Sequence, residues 1–149
     1  RKELADQEEG FEIMVGNIVE NLLIDLYRQL SSKGLKTEEE THFIDKFTKI
    51  ISEDISKKWN IDDLANRFGM GKTKFTYEVK KITGYPPNSY IINLKIEKAT
   101  ELILNPENKS MSDIAYSCGF SSLQHLTTSF LQRTGTTPGK FRSKETKDK

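Results

Sequence analysis

In 149 residues the side chains with chemical reach are one thiol, two imidazoles and a scatter of hydroxyls, amides and amines. Cys118, His42 and His125 are the obvious nucleophile and bases, but the histidines lie far apart in sequence and make no metal-ligand pattern with the single cysteine. Gly69-Met70-Gly71-Lys72-Thr73 ends as a phosphate-binding loop ends, yet it lacks the earlier glycine at the required spacing and no strand precedes it. These patterns predict no enzyme, no metal site and no cofactor. Two short stretches dense in polar side chains remain, Lys72 to Lys81 and Ser121 to Arg133. Their chemistry is hydrogen bonding and charge neutralisation, and it needs a rigid element that presents each stretch on one face.

That element is written twice. Ile61-Asp62-Asp63-Leu64-Ala65-Asn66-Arg67-Phe68-Gly69-Met70 is matched fifty positions later by Met111-Ser112-Asp113-Ile114-Ala115-Tyr116-Ser117-Cys118-Gly119-Phe120. After one extra residue the match resumes, pairing Phe75 with Leu126, Val79 with Phe130, Thr83-Gly84 with Thr134-Gly135, Pro87 with Pro138 and Tyr90 with Phe141. Alanine beside an apolar residue lets a second helix cross closely, and glycine four residues later suits a left-handed exit from the first helix. Met70 and Phe120 then point inward. A second helix follows, capped by Gly71 or Thr73 in the first copy and by Ser121 or Ser122 in the second. Phe75 and Val79, like Leu126 and Phe130, are four apart and share a buried face. The repeat places Cys118 opposite Phe68, a core position, where a free cysteine behaves as a small hydrophobe.

Each copy therefore reads as a helix-turn-helix, whose second helix turns its exposed face to a major groove. The residues pointing away from the core face, and so towards bases, are Thr73, Lys74, Thr76 and Tyr77 in the first copy and Leu123, Gln124, Thr127 and Thr128 in the second. Lys72, Lys80 and Lys81, and Ser121, Ser122, His125 and Arg133, flank them as phosphate contacts. Lys140 and Arg142 beside the last turn join that set.

Residues 55–142 resemble the C-terminal DNA-binding domain of AraC/XylS-type bacterial transcription regulators. The resemblance rests on Leu64-Ala65, Gly69-Met70, Lys80-Lys81-Ile82-Thr83-Gly84, Tyr90, Ile96-Glu97-Lys98-Ala99, Asp113-Ile114-Ala115 to Gly119-Phe120-Ser121, and Thr134-Gly135 to Pro138 with Phe141-Arg142. It implies an all-α fold of two helix-turn-helix (homeodomain-like) units on one long linker helix, sequence-specific binding of double-stranded DNA, and control of transcription with RNA polymerase as a further partner. Carried over by alignment, the family's base-reading positions fall on Thr73, Thr76, Tyr77, Leu123, Gln124, Thr127 and Thr128. Family members often have arginine where this chain has Tyr77 and Thr128. Without those bidentate donors to guanine, weight shifts to methyl contacts with thymine and to a Gln124 contact with adenine. The alternative is an all-helical protein-interaction module in which the same faces meet a polypeptide.

The rest of the chain is read as support. Residues 1–36 form an N-terminal helical segment with a wide apolar stripe, Phe11, Met14, Val15, Ile18, Leu22, Leu26 and Leu30, covered either by the next helix or by a second chain through residues 9–32 in a homodimer. Thr37 and Glu40 make a capping box for a helix running to about Lys57 or Trp59. The DNA-binding domain spans 37–143, with its units at about 61–83 and 111–133. Gly84-Tyr85-Pro86-Pro87 is a stop, and the linker helix follows from Asn88 or Ser89 to about Leu104. Residues 144–149 are expected to be a disordered tail. Net charge is +1, but residues 1–60 hold 9 Lys/Arg against 13 Asp/Glu and residues 61–149 hold 14 against 9, so the basic excess lies with the repeat. No apolar run approaches the ~20 residues of a membrane span, no signal peptide opens the chain, and one cysteine suits a reducing cytoplasm. A chain that starts at Arg1 is expected to be part of a longer protein.

Overall fold

The computed structural model describes residues 36–105 and 109–145, together with Leu23. The N-terminal apolar stripe, Phe11 to Leu30, and the dimer expected through it lie outside the described residues; Leu23, beside Leu22 in the sequence, is helical and exposed. From Glu38 onward the chain is one compact unit. Its elements are α1 (Glu38–Glu53), α2 (Ile61–Arg67), α3 (Lys72–Thr83), α4 (Pro87–Leu104), α5 (Met111–Ser117), α6 (Leu123–Thr134) and α7 (Pro138–Glu145). Every element among the described residues is a helix, and none is long and apolar enough to cross a membrane.

The repeat survives down to single hydrogen bonds. At the end of α2 the Met70 amide reaches back to the Ala65 carbonyl at 3.0 Å and the Gly69 amide to Asn66 at 3.0 Å. At the end of α5 the Phe120 amide reaches Ala115 at 2.9 Å and the Gly119 amide Tyr116 at 2.9 Å. This 6→1 and 5→2 pair closes a helix through a left-handed residue, and Gly69 and Gly119 supply it at φ 65° and 73°. The exits of α3 and α6 also match. Thr83 Oγ1 donates to Val79 O at 2.7 Å and accepts from the Tyr85 amide at 3.1 Å, while Thr134 Oγ1 donates to Phe130 O at 2.8 Å and accepts from the Thr136 amide at 3.3 Å.

Three boundaries differ from the sequence reading. α1 stops at Glu53, short of Lys57 or Trp59, because the chain turns there: the Lys57 amide and the Trp59 indole both donate to Asp54 O, at 3.2 Å each. α4 begins at Pro87 rather than at Asn88 or Ser89, since proline cannot continue a helix but fits its first turn, where the missing amide has no partner to lose. α7 takes in Lys144 and Glu145, the first two residues of the expected tail.

Two apolar cores sit on α4. The first gathers Ile44, Phe47 and Ile51 of α1, Leu64 and Ala65 of α2, Phe75, Val79 and Ile82 of α3, and Ile91 and Leu94 of α4. Phe47, Phe68 and Phe75 meet at tilted or edge-on angles, and Tyr90 stacks on Phe47 at 5.6 Å while its hydroxyl bonds Thr48 Oγ1 at 2.9 Å. The second core joins Ile96, Ala99 and Ile103 of α4 to Ile114, Ala115, Cys118, Phe120, Leu126 and Phe130, with Phe141 of α7 against Phe130. One helix of 18 residues, about 27 Å long, thus serves both units end to end.

Candidate nucleic-acid interface

In each unit the first helix and the turn fix the second helix by its apolar face. Phe75, Val79, Leu126 and Phe130 are all 0% exposed, so the opposite faces of α3 and α6 must look outward. Thr73, Lys74 and Tyr77 on α3 are exposed and Thr76 is half-buried. On α6, Leu123, Gln124 and Thr128 are exposed and Thr127 is half-buried. Tyr77 at 65% and Leu123 at 38% exposure are large apolar groups held in water, which leaves apolar surface to be covered by a partner. Among the described residues, Thr73, Lys74, Thr76, Tyr77, Gln124, Thr128 and Lys80 make no side-chain hydrogen bond, so their donors and acceptors are available. Thr127 is different: its hydroxyl donates to Leu123 O at 2.8 Å, turning its polar atom back on its own helix.

The starts of the two helices are not equivalent. α6 is capped by Ser122, whose hydroxyl accepts from the His125 amide at 3.1 Å, and Ser121 Oγ lies 3.1 Å from His125 Nδ1, with that ring edge-on to Phe120. α3 is capped by Gly71, which has no side chain to accept. Of the two options in each copy, the structure takes Gly71 and Ser122.

The cations group by what holds them. Lys80, Lys74 and Lys140 are exposed. Lys72 is paired to Asp62 at 2.9 Å, and Lys81 to Glu40 of α1 at 2.7 Å; that hydrogen bond and charge hold the Lys81 ammonium above its usual pKa. Arg133 turns onto the linker helix, donating through Nε to Asn93 Oδ1 and through Nη2 to Ser89 O at 3.4 Å, and burial draws its pKa down. Arg142 Nη2 donates to Lys109 O at 3.0 Å, tying α7 to the segment before α5. Arg133 and Arg142, both expected at phosphates, thus also serve as internal braces.

Sequence reasoning missed those braces because the partners are distant: Asn93 and Ser89 are 40 and 44 residues from Arg133. It also missed Lys95, a buried lysine on α4. Its signal was present, since Lys95 interrupts the apolar run Leu94-Lys95-Ile96.

A helix-turn-helix domain family model matches residues 64–144. The HTH-type transcriptional regulator ExsA of Pseudomonas aeruginosa is 32% identical over 127 residues, which is 85% of this chain and 41% of that protein. The chain therefore spans about two fifths of the length of this curated relative. Among solved structures, the DNA-binding domain of AdpA, a global transcriptional factor in complex with a target DNA, superposes with a TM-score of 0.66 at 22% identity, covering 70% of this chain and 94% of that one. An AraC-type regulator from Chromobacterium violaceum gives 0.67 at 22% identity, over 73% and 96%. At these identities the superpositions speak to the fold.

Proposed function

Since the chain belongs to the AraC-type helix-turn-helix family, we propose that it is the sequence-specific DNA-binding part of a transcription regulator, setting α3 and α6 into neighbouring major grooves of one duplex. The observation that carries this is the pair of second helices, each with its apolar face buried and an outward face that includes polar side chains with no internal partner, Thr73, Lys74, Thr76 and Tyr77 on the first and Gln124 and Thr128 on the second. Successive turns of a major groove recur every ~34 Å, and a linker of about 27 Å with a helix packed at each end is of the size needed to span them. Thr73, Lys74, Thr76, Tyr77, Leu123, Gln124, Thr127 and Thr128 read bases; Lys80 and Lys140, the Ser121–His125 corner and the helix-capping Ser122 sit at phosphates. Lys72, Lys81, Arg133 and Arg142 reach phosphate only by sharing or leaving the partners they hold here.

AdpA, solved with its target DNA, supports the mode of binding through a shared fold. The domain runs from residue 37 to 143, with residues 1–36 as a helical segment that joins a second copy of the chain through residues 9–32; RNA polymerase is the further partner of a regulator working in a bacterial cytoplasm. No enzymatic step is part of this reading. A fluorescence titration with duplex DNA at two salt concentrations tests it. Affinity falling steeply with salt is expected from counterion release, and salt-independent binding overturns the reading. Selection from a random pool gives the operator, and sedimentation showing only monomer at high micromolar concentration overturns the dimer.

A further inference from the structure

One charged group in the linker helix has no place in either DNA-facing surface. Lys95 lies midway along α4, between Leu94 of the first core and Ile96 of the second, and it is 8% exposed. A buried ammonium is costly unless its protons are taken up. Here they are: Nζ donates to Gly119 O in the second unit's turn at 2.9 Å and to Lys57 O, just before the first unit, at 3.5 Å. The two backbone segments are in contact at this point. A Cβ placed on Gly119 would lie 2.4 Å from Ser56 O and 2.6 Å from Lys95 Nζ. Desolvation pulls the lysine's pKa below its ordinary value, outweighing the attraction of Cys118 and of the Asp54 carboxylate. The joint is made of three segments: the loop entering unit one, the middle of the shared helix, and the turn of unit two.

We propose that Lys95 is a positioning residue that fixes the angle between the two helix-turn-helix units, and through it the half-site spacing the protein accepts. The second clause rests on the DNA-binding reading; the first does not. A continuous helix alone leaves each unit free to rock about its own core contacts. Lys95 removes that freedom by binding one carbonyl from each side, much as a strut fixes a hinge. The other brace, Arg133 to Asn93 and Ser89, lies on the same helix but ties only α6 to α4, so it does not replace a link between the two units.

The test measures the joint with and without DNA. Spin labels are placed at two exposed positions, Asp63→Cys on α2 and Ser112→Cys on α5, in a Cys118→Ala background of the whole chain. Lys95→Met keeps length and apolar contact but removes the donors; Lys95→Arg keeps them. One narrow distance distribution is expected for the parent and for Lys95→Arg, and a distribution at least about twice as wide for Lys95→Met. An unchanged width in Lys95→Met overturns the proposal. If that variant loses helical signal, Lys95→Gln, which falls short of both carbonyls, takes its place under the same criterion. The second arm uses a selected duplex and the same duplex with one base pair inserted between half-sites. The parent is expected to lose at least about tenfold in affinity on insertion and Lys95→Met clearly less. Equal losses overturn the link to spacing, whereas absence of binding to any duplex sinks the DNA reading and leaves the distance result standing.

Discussion

Gln124 is exposed on α6, and a side-chain amide in a major groove pairs with adenine, which presents N7 as acceptor and N6 as donor. Replacing it by alanine is expected to cost about 1–3 kcal/mol at one base position and to relax the preference there. Lys80→Ala should instead weaken binding to all duplexes alike and lower the salt slope by about one unit. Titrations of both variants against single-base substitutions of a selected site separate the two roles. Cys118 illustrates the opposite kind of residue. Burial in the second core pushes its thiol up from 9.0 to about 11, so the folded state holds the proton more tightly than the unfolded chain does. Its contribution is present below pH 9 and is lost as the pH climbs through about 11, a change on the order of 3 kcal/mol. Lys95, whose pKa is lowered, acts the other way as the pH approaches its ordinary 10.5. Urea midpoints at pH 8 and 10.5 should therefore fall further in the parent than in Cys118→Ala, and the thiol should resist alkylation until the protein unfolds.

The two helix-turn-helix elements share a turn but not its surroundings. A Cβ on Gly69 meets nothing within 4 Å, whereas one on Gly119 meets Ser56 O at 2.4 Å, although both glycines have positive φ. Gly69→Ala is thus expected to cost only the left-handed strain of about 1–2 kcal/mol. Gly119→Ala should cost about 1–3 kcal/mol more, because backbone must move; chemical denaturation of the pair reads the difference. At the bare start of α3, Gly71 has an ordinary φ of −72° and open space around its Cα, so Gly71→Ser should gain a few tenths of a kcal/mol in the same assay. The turns, cores and outward faces were legible in the sequence because each follows from local spacing: Gly69 and Gly119 at the same offset, and Phe75/Val79 and Leu126/Phe130 four apart. The end of α1 was not, since the Trp59 indole closing on Asp54 depends on where the next unit pulls the chain. Nor was the pairing of Lys81 with Glu40, which lies 41 residues away. Long-range polar partners leave no periodic mark.

At the scale of the molecule the question is whether two cores on one helix unfold together. α4 gives Ile91 and Leu94 to the first and Ile96, Ala99 and Ile103 to the second, so its two halves cannot be ordered for one core and frayed for the other without a break near Lys95. That break would strand the Lys95 ammonium and the carbonyls it binds, adding a cost to any half-unfolded state. The structure supplies a probe for each side. Trp59, the only tryptophan, packs against the first core, and Phe130, 0% exposed, fills the second. Phe130→Ala removes a buried ring and should cost about 3–5 kcal/mol. Coupled cores would shift the Trp59 fluorescence transition by the same amount as the loss of helical circular dichroism, although Trp59 packs against the first core and the substitution lies in the second. Independent cores would leave the Trp59 midpoint at its parent value while part of the helical signal melts early. We expect coincident transitions, because a helix shared across its whole length is a poorer place to divide a protein than a loop.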